Sequence, residues 1–204
     1  MKVDFFKQSK VNLNYRDHFL ECIECLFDGT TSLVNGKFTK QFEQNFASFI
    51  NASHCSFVSN GLDALILSLE TLGIRPGDHV LVPNHTYIAT WLAPLKLGCK
   101  LVVAPVDSNT LLLDTNKVDQ LIDANVKVIM PVHLYGNPCN INELRELQKQ
   151  YHFFIVEDAA QAHATSLDGK YVGNLGDLTC FSFYPTKNLG AIGEAGAITT
   201  NAKN

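Results

Sequence analysis

"CSFVSNGLDALILSLETLGIRPGDHVLVP", residues 55–83, carries the reading on which the fold depends. "CSFVS" is a short β-prone run, and Ser59-Asn60-Gly61 breaks it. Leu62, Leu65, Ile66, Leu69 and Leu72 then recur at helical spacing. "GIRPGD" closes that helix with glycine and proline, and "HVLVP" is a second short apolar run. The sequence therefore reads strand, helix, strand.

The same rhythm extends in both directions. Downstream come a helix across "IATWLAPLKLG", a strand "KLVVAPV", a helix "TNKVDQLIDA", a strand "KVIMPV", a helix over 141–150 and a strand "FFIVED". Strands this apolar, alternating with helices, predict a mostly parallel sheet covered on both faces, an α/β fold. After residue 158 the rhythm changes to two strands, "LTCFSFY" and "GAITT", with a lysine-bearing loop between them. Upstream, 14–27 reads as a helix with Phe19, Leu20, Ile23, Leu26 and Phe27 on one stripe. Phe38, Phe42, Phe46, Phe49 and Ile50 form a second helical stripe, expected to enter the core.

Composition limits the function classes. The chain has 204 residues, 46% hydrophobic and 18% charged, which suits one well-buried globular domain. A net charge of −4 and the lack of any Lys/Arg block give no support for a nucleic-acid partner. "MKVDFFKQSKVNLNY" lacks the apolar core of a signal peptide, and no apolar run approaches the ~18 residues of a membrane helix. A cytoplasmic protein is expected. Cys22 and Cys25 form a CxxC, but a zinc site needs four ligands and no second pair follows. They read as half-buried thiols on one helix face.

Ligands of such sheets sit beyond the carboxyl ends of the strands. That rule selects Asn60 to Asp63, Asn84 to Tyr87, Glu157 to Gln161 and the lysine loop. "SNGLDAL" opens a helix, whose N-terminus favours phosphate, although Ser and Asn are also ordinary helix caps. Asp158 either caps the next helix or meets a positive ligand group. Lys187, in "FSFYPTKNLGAIGEAGA" (181–197), has no acidic neighbour in sequence. Taken together, Lys187, Asp158, Tyr87, and Gly61 with Ser182 are candidates for the four needs of a pyridoxal phosphate (PLP) enzyme. Those needs are a Schiff-base lysine, a carboxylate for the pyridine nitrogen, an aromatic face and a phosphate cup.

"SNGLDAL", "NHTYIATW", "PVHLYG", "EDAAQAH" and "FSFYPTKNLGAIGEAGA", in that order, resemble the PLP-dependent sugar aminotransferases of the DegT/DnrJ/EryC1/StrS family. The resemblance covers the chain from about residue 30. It implies the aspartate-aminotransferase-like fold (fold type I), with 1–204 comprising an N-terminal segment and the large PLP-binding domain. Residue by residue, Lys187 resembles the Schiff-base lysine that also moves the proton. Asp158 resembles the carboxylate that keeps the pyridine nitrogen protonated. Gln161 corresponds to the residue beside the phenolic oxygen, and Tyr87 to the stacking ring. Ser182 with the amides of Gly61 and Leu62 resembles the phosphate cup, with Asp63 next to it. His163 falls in the same motif without an assigned role.

The resemblance further implies ping-pong transfer of an amino group from glutamate to a nucleotide-linked keto sugar. "NGLDAL" with "TYIATWLAP" is similar to the branch that acts on dTDP-linked 3-keto-6-deoxyhexoses, whereas other members act at C4. Such amino sugars serve glycans such as lipopolysaccharide O-antigen. The family implies a homodimer and a smaller C-terminal domain, and the latter is expected to be missing from this chain. The opposing expectation is a non-catalytic remnant, or half of a split enzyme, that at most binds PLP. A nucleotide-binding module built on "SNGLDAL" leaves Lys187 and Asp158 unexplained. Surface left uncovered by a missing domain is expected to be apolar and to promote association.

Overall fold

A computed structural model describes residues 7–202. The first six residues of the N-terminal stretch lie outside the described residues. The helices are α1 (Gln8–Leu13), α2 (Arg16–Phe27), α3 (Lys37–Ile50), α4 (Gly61–Thr71), α5 (Ala89–Lys96), α6 (Thr115–Val118) and α7 (Ile141–Tyr151). The strands are β1 (His54–Val58), β2 (His79–Pro83), β3 (Lys100–Ala104), β4 (Val126–Ile129), β5 (Phe154–Asp158), β6 (Ser166–Leu167), β7 (Lys170–Tyr171), β8 (Leu178–Ser182) and β9 (Gly196–Thr200).

Seven strands form one sheet in the order β1-β9-β8-β5-β4-β2-β3. β2, β3, β4, β5 and β8 run parallel, while β9 is antiparallel to both β8 and β1. β6 and β7 make a separate hairpin. Its turn is Asp168-Gly169, both at positive φ, the geometry that a two-residue hairpin turn of type I′ demands.

Strand alternation decides which side each residue serves. Val80, Val82, Val128, Met130 and Val156 pack with Leu65 and Leu69 of α4 on one face. Leu81, Ile129 and Ile155 pack with Ile141 and Leu144 of α7 on the other. Each fully buried Leu or Ile adds about 1.5–3 kcal/mol, so two covered faces hold the parallel strands rigidly. A third cluster joins Phe46 and Ile50 of α3 to Phe181 and Phe183. Phe46 meets Phe181 and Phe183 edge-on at 5.0 and 5.2 Å.

Several expectations need correction. The helix expected over 14–27 is α2, which begins at Arg16, and a separate short helix, α1, not foreseen, precedes Asn14 and Tyr15. α2 has no buried residue: Leu20, Ile23 and Phe27 remain exposed, Phe27 by 88%. Phe46 and Ile50 enter the core as expected, but Phe49 stays half exposed and stacks on Tyr171 instead. The helix expected across 115–124 is one short turn continued by a 3₁₀ turn over Asp119–Leu121. β1, an edge strand, is not covered on both faces. Cys22 and Cys25 are half-buried free thiols, the latter 3.6 Å from the Lys37 ammonium. No helix of the described residues is long and apolar enough to cross a membrane.

Candidate active site

A cavity of about 650 Å³ opens at the carboxyl ends of β2, β5 and β8. Gly61 and Leu62 at the start of α4 form one wall, and Thr86 to Ala89 form another. The loop from β8 to β9 brings Lys187 and Glu194, while Asp158 and Gln161 come from the end of β5.

α4 starts where it does because Asn60 caps it: the Asn60 side-chain oxygen accepts from the Asp63 amide at 2.8 Å. Asp63 itself does not line the cavity. Its carboxylate accepts from the Asn60 amide group at 3.0 Å and from the Ser59 hydroxyl, and so turns back onto the cap. That leaves the Gly61 and Leu62 amides at the helix end, where N–H groups lack intrahelical acceptors. Gly61 is required by space: a Cβ there would lie 2.7 Å from Ser182 Cβ. The close approach puts the Ser182 hydroxyl beside the helix N-terminus, a polar cradle that suits an anionic group.

Asp158 ends β5 and is 6% exposed. Its backbone is fixed on both sides, by N–H to Pro131 O at 2.9 Å and by C=O from His133 N at 3.0 Å. One carboxylate oxygen accepts from the Ala160 amide at 3.1 Å and the other from the Thr90 hydroxyl at 2.7 Å. Thr90, in the first turn of α5, is fully buried. Trp91 holds that turn against β2 by donating its indole N–H to Pro83 O at 2.9 Å. Among the described residues no helix follows Asp158, so its carboxylate caps a turn and not the helix expected in the sequence, and it also faces the cavity.

On the opposite side of β5 lies a polar group that the sequence reading did not single out. His133 and Glu157 are both completely buried and 2.8 Å apart. The Cys139 amide donates to His133 Nδ1 at 3.0 Å, so that nitrogen is unprotonated and Nε2–H donates to Glu157. Glu157 also accepts from the Gly176 amide and the Thr179 hydroxyl, each at 2.6 Å. A buried carboxylate is tolerated only with such partners. The pair ties the ends of β4 and β8 to β5 directly behind Asp158.

Lys187 sits in a turn closed by its own amide on Tyr184 O at 2.8 Å. Phe183 N to Ala195 O and Ala191 N to Phe183 O, both 2.8 Å, pin the loop that carries it. The side chain is partly buried, and among the described residues it takes part in no ion pair. Gln161 accepts from the Tyr135 amide at 2.7 Å through its side-chain oxygen, leaving the NH₂ group as the free donor. Tyr87 is 68% exposed on the rim. His163 lies behind the lysine loop, its ring 5.1 Å from that of Phe183. Among the described residues both its ring nitrogens are buried without a hydrogen-bond partner. Burial lowers its pKa to about 4, outweighing the nearby Ser182 carbonyl and Asn188 side chain, while the charge of Lys187 lowers it further.

The structure therefore gathers Gly61, Leu62, Tyr87, Asp158, Gln161, Ser182 and Lys187 around one cavity. Thr86 falls in the selected stretch Asn84 to Tyr87 without having been given a role, and Thr90, Tyr184 and Glu194 were not singled out. Thr90 lies in the first turn of α5, and Thr86, in the loop before that helix, is 2.8 Å from it between hydroxyl oxygens.

This architecture is the fold type I domain of the aminotransferases. It superposes on DesV of Streptomyces venezuelae, solved with a ketimine intermediate, with a TM-score of 0.93 at 39% identity, covering 98% of this chain and 54% of that one. NtdA of Bacillus subtilis, solved with bound cofactor PMP, gives 0.89 at 31% identity, covering 99% and 46%. The chain belongs to the DegT/DnrJ/EryC1/StrS aminotransferase family, whose sequence profile matches residues 16–204. It is 44% identical over 159 residues to the dTDP-3-amino-3,4,6-trideoxy-alpha-D-glucose transaminase of S. venezuelae, covering 78% of the chain and 42% of that protein. It is 39% identical over 188 residues to GDP-perosamine synthase of Caulobacter vibrioides, covering 92% and 49%. The chain thus spans about half the length of the curated relatives it matches.

Proposed function

We propose that this chain is the cofactor-holding half of a PLP-dependent aminotransferase that passes an amino group from glutamate to a nucleotide-linked keto sugar. The observation that carries the reading is the convergence of Lys187, Asp158, Gln161, Ser182 and the start of α4 on one cavity. The cradle between Gly61 and Ser182 accepts a phosphate through the Gly61 and Leu62 amides and the Ser182 hydroxyl. Asp158 meets the pyridine nitrogen, and the free NH₂ of Gln161 donates to the ring's phenolic oxygen. Tyr87 covers a ring face. Lys187, unpaired in the described residues, provides the attaching amine and moves the proton at the reacting carbon. The cofactor, when bound, supplies the electron sink for that proton transfer.

Two relatives bear on the acceptor. The 44% identity to a transaminase of a dTDP-linked 3-amino sugar favours a dTDP-linked 3-keto-6-deoxyhexose. The GDP-linked relative keeps a GDP sugar as the second reading, beside amination at C4 as the sequence alternative. Among the described residues Lys187 is the one Lys or Arg on the cavity wall. The groups that neutralise the glutamate carboxylates and the sugar diphosphate are therefore assigned to residues outside this chain, in a smaller domain and in the second subunit of a homodimer. The setting is cytoplasmic, in the synthesis of amino sugars for surface glycans. The same shortage of cations supports the alternative, a half-site that binds PLP without turnover.

The test is to mix the chain with PLP, reduce with borohydride and map the adduct by peptide mass spectrometry, with Lys187→Ala as control. One pyridoxyl group on Lys187, lost in the variant, is expected. Labelling spread over surface lysines refutes the assignment. Release of 2-oxoglutarate from glutamate then separates an active enzyme from a binding half-site.

A further inference from the structure

Thr86 Oγ1 lies 2.8 Å from Thr90 Oγ1, which lies 2.7 Å from Asp158 Oδ2. An ionised carboxylate only accepts, so the single hydroxyl proton of Thr90 goes to Asp158. With that proton committed, Thr86 must donate to Thr90. The relay therefore has one polarity, from the cavity wall through a fully buried hydroxyl to the carboxylate. The other oxygen of Asp158 is held by the Ala160 amide at 3.1 Å. Each oxygen thus has one donor, from different elements, and the carboxylate plane is fixed.

We propose that Thr90, supported by Thr86, is a positioning residue that sets the orientation and charge of Asp158 toward the cofactor ring. This rests on the reading above, in which Asp158 meets the pyridine nitrogen. A donor on a carboxylate favours its ionised form. With PLP bound, a carboxylate held ionised at this position would favour a protonated, electron-poor ring, which would lower the pH at which the bound cofactor's visible absorption titrates. Removing the Thr90 hydroxyl therefore moves that transition to higher pH.

Other groups face Asp158 and must be held constant. Lys187 and Glu194 come from the β8–β9 loop, and Tyr87 and Tyr184 from the rim. Cys180 of β8 is its register partner, with a thiol pushed well above its usual range by burial. Glu157 lies behind, engaged with His133. Asp63 of α4 is turned onto its cap. A threonine substitution alters none of them.

The experiment is a pH titration of the visible absorption of the PLP-loaded chain, comparing wild type with T90V, T90S and T86V. T90V, near-isosteric, should raise the midpoint by about half a unit or more. It should also weaken PLP binding about tenfold, the effect of one hydrogen bond to a charged group. T90S, which keeps the hydroxyl, should titrate as wild type, and T86V should shift in the same direction by less. Loss of packing alone would weaken binding without moving the midpoint. A T90V adduct on Lys187 with an unchanged midpoint overturns the inference and leaves the cofactor reading intact. If T90V does not fold, an unchanged midpoint in T86V overturns it. Failure of wild type to label at Lys187 overturns both.

Discussion

The buried pair behind Asp158 permits a quantitative test of the hydrogen bonding assigned to Glu157. In Glu157→Gln the shape is kept and the charge removed. Glu157 accepts from three donors: His133 Nε2–H, the Gly176 amide and the Thr179 hydroxyl. A glutamine has one oxygen and one NH₂ group. If the NH₂ faces His133, two donors meet, and a tautomer flip only moves the conflict to the Cys139 amide on Nδ1. If the oxygen faces His133, the NH₂ meets the Gly176 amide. Every arrangement strands one buried donor and loses bonds to a charged acceptor. Stranding a buried donor costs about 1–3 kcal/mol and a hydrogen bond to a charged group is worth about 1.5–3. The variant should lose about 3 kcal/mol, or roughly 6–12 °C of melting temperature for a chain of this size. Thr179→Val, which removes one donor, should lose about half as much. Thermal denaturation followed by circular dichroism measures both. A drop of under about 2 °C for Glu157→Gln would refute the three-donor arrangement assigned to Glu157.

Two further outcomes follow from the geometry. Gly61→Ala places a methyl 2.7 Å from Ser182 Cβ, so α4 or β8 must shift. The expected result is at least about tenfold weaker binding of PLP, with a stability loss of about 1–3 kcal/mol, measured by fluorescence titration and chemical denaturation. His163 has a folded-state pKa of about 4, below the usual 6.5, because burial disfavours its charge. The unfolded chain therefore binds the extra proton first. The stability held above pH 6.5 falls as the pH drops toward about 4, by up to about 3 kcal/mol. His163→Phe should flatten the difference between denaturation midpoints at pH 7 and pH 4.5, and an unchanged difference would refute it.

The parallel core was legible because β2, β4 and β5 are apolar on both sides and are separated by helices with clear stripes. The glycine and lysine motifs were legible because each ends a strand, where polar residues stand out. The stripe on α2 misled: apolar spacing gives a face, but not what covers it, and Leu20, Ile23 and Phe27 remain exposed. β6 and β7 were overlooked, although Asp168-Gly169 is a strong turn signal, because two-residue strands carry no periodicity. The antiparallel course of β9 follows from the loop carrying Lys187 returning directly beside β8, a matter of topology and not of composition. His133–Glu157 and Thr90–Asp158 pair residues far apart in sequence, and such side-chain pairings emerge only once the strand order is known.

The strand order also bears on how the domain assembles. β1 touches the sheet only through β9, at the far end of the described chain, and β9 fills the gap between β1 and β8. Pairings this remote in sequence form slowly, since the intervening chain must close first. During synthesis β2, β3, β4 and β5 can associate as they emerge, while β1 waits with an open edge. The cap of α4 directly follows β1, so the anion cradle is completed only when β9 arrives. Until then an exposed strand and the unseated aromatic residues of α3 are free to pair with other nascent chains. Expression at low temperature or with a chaperone should therefore raise the soluble yield more than it alters the melting temperature.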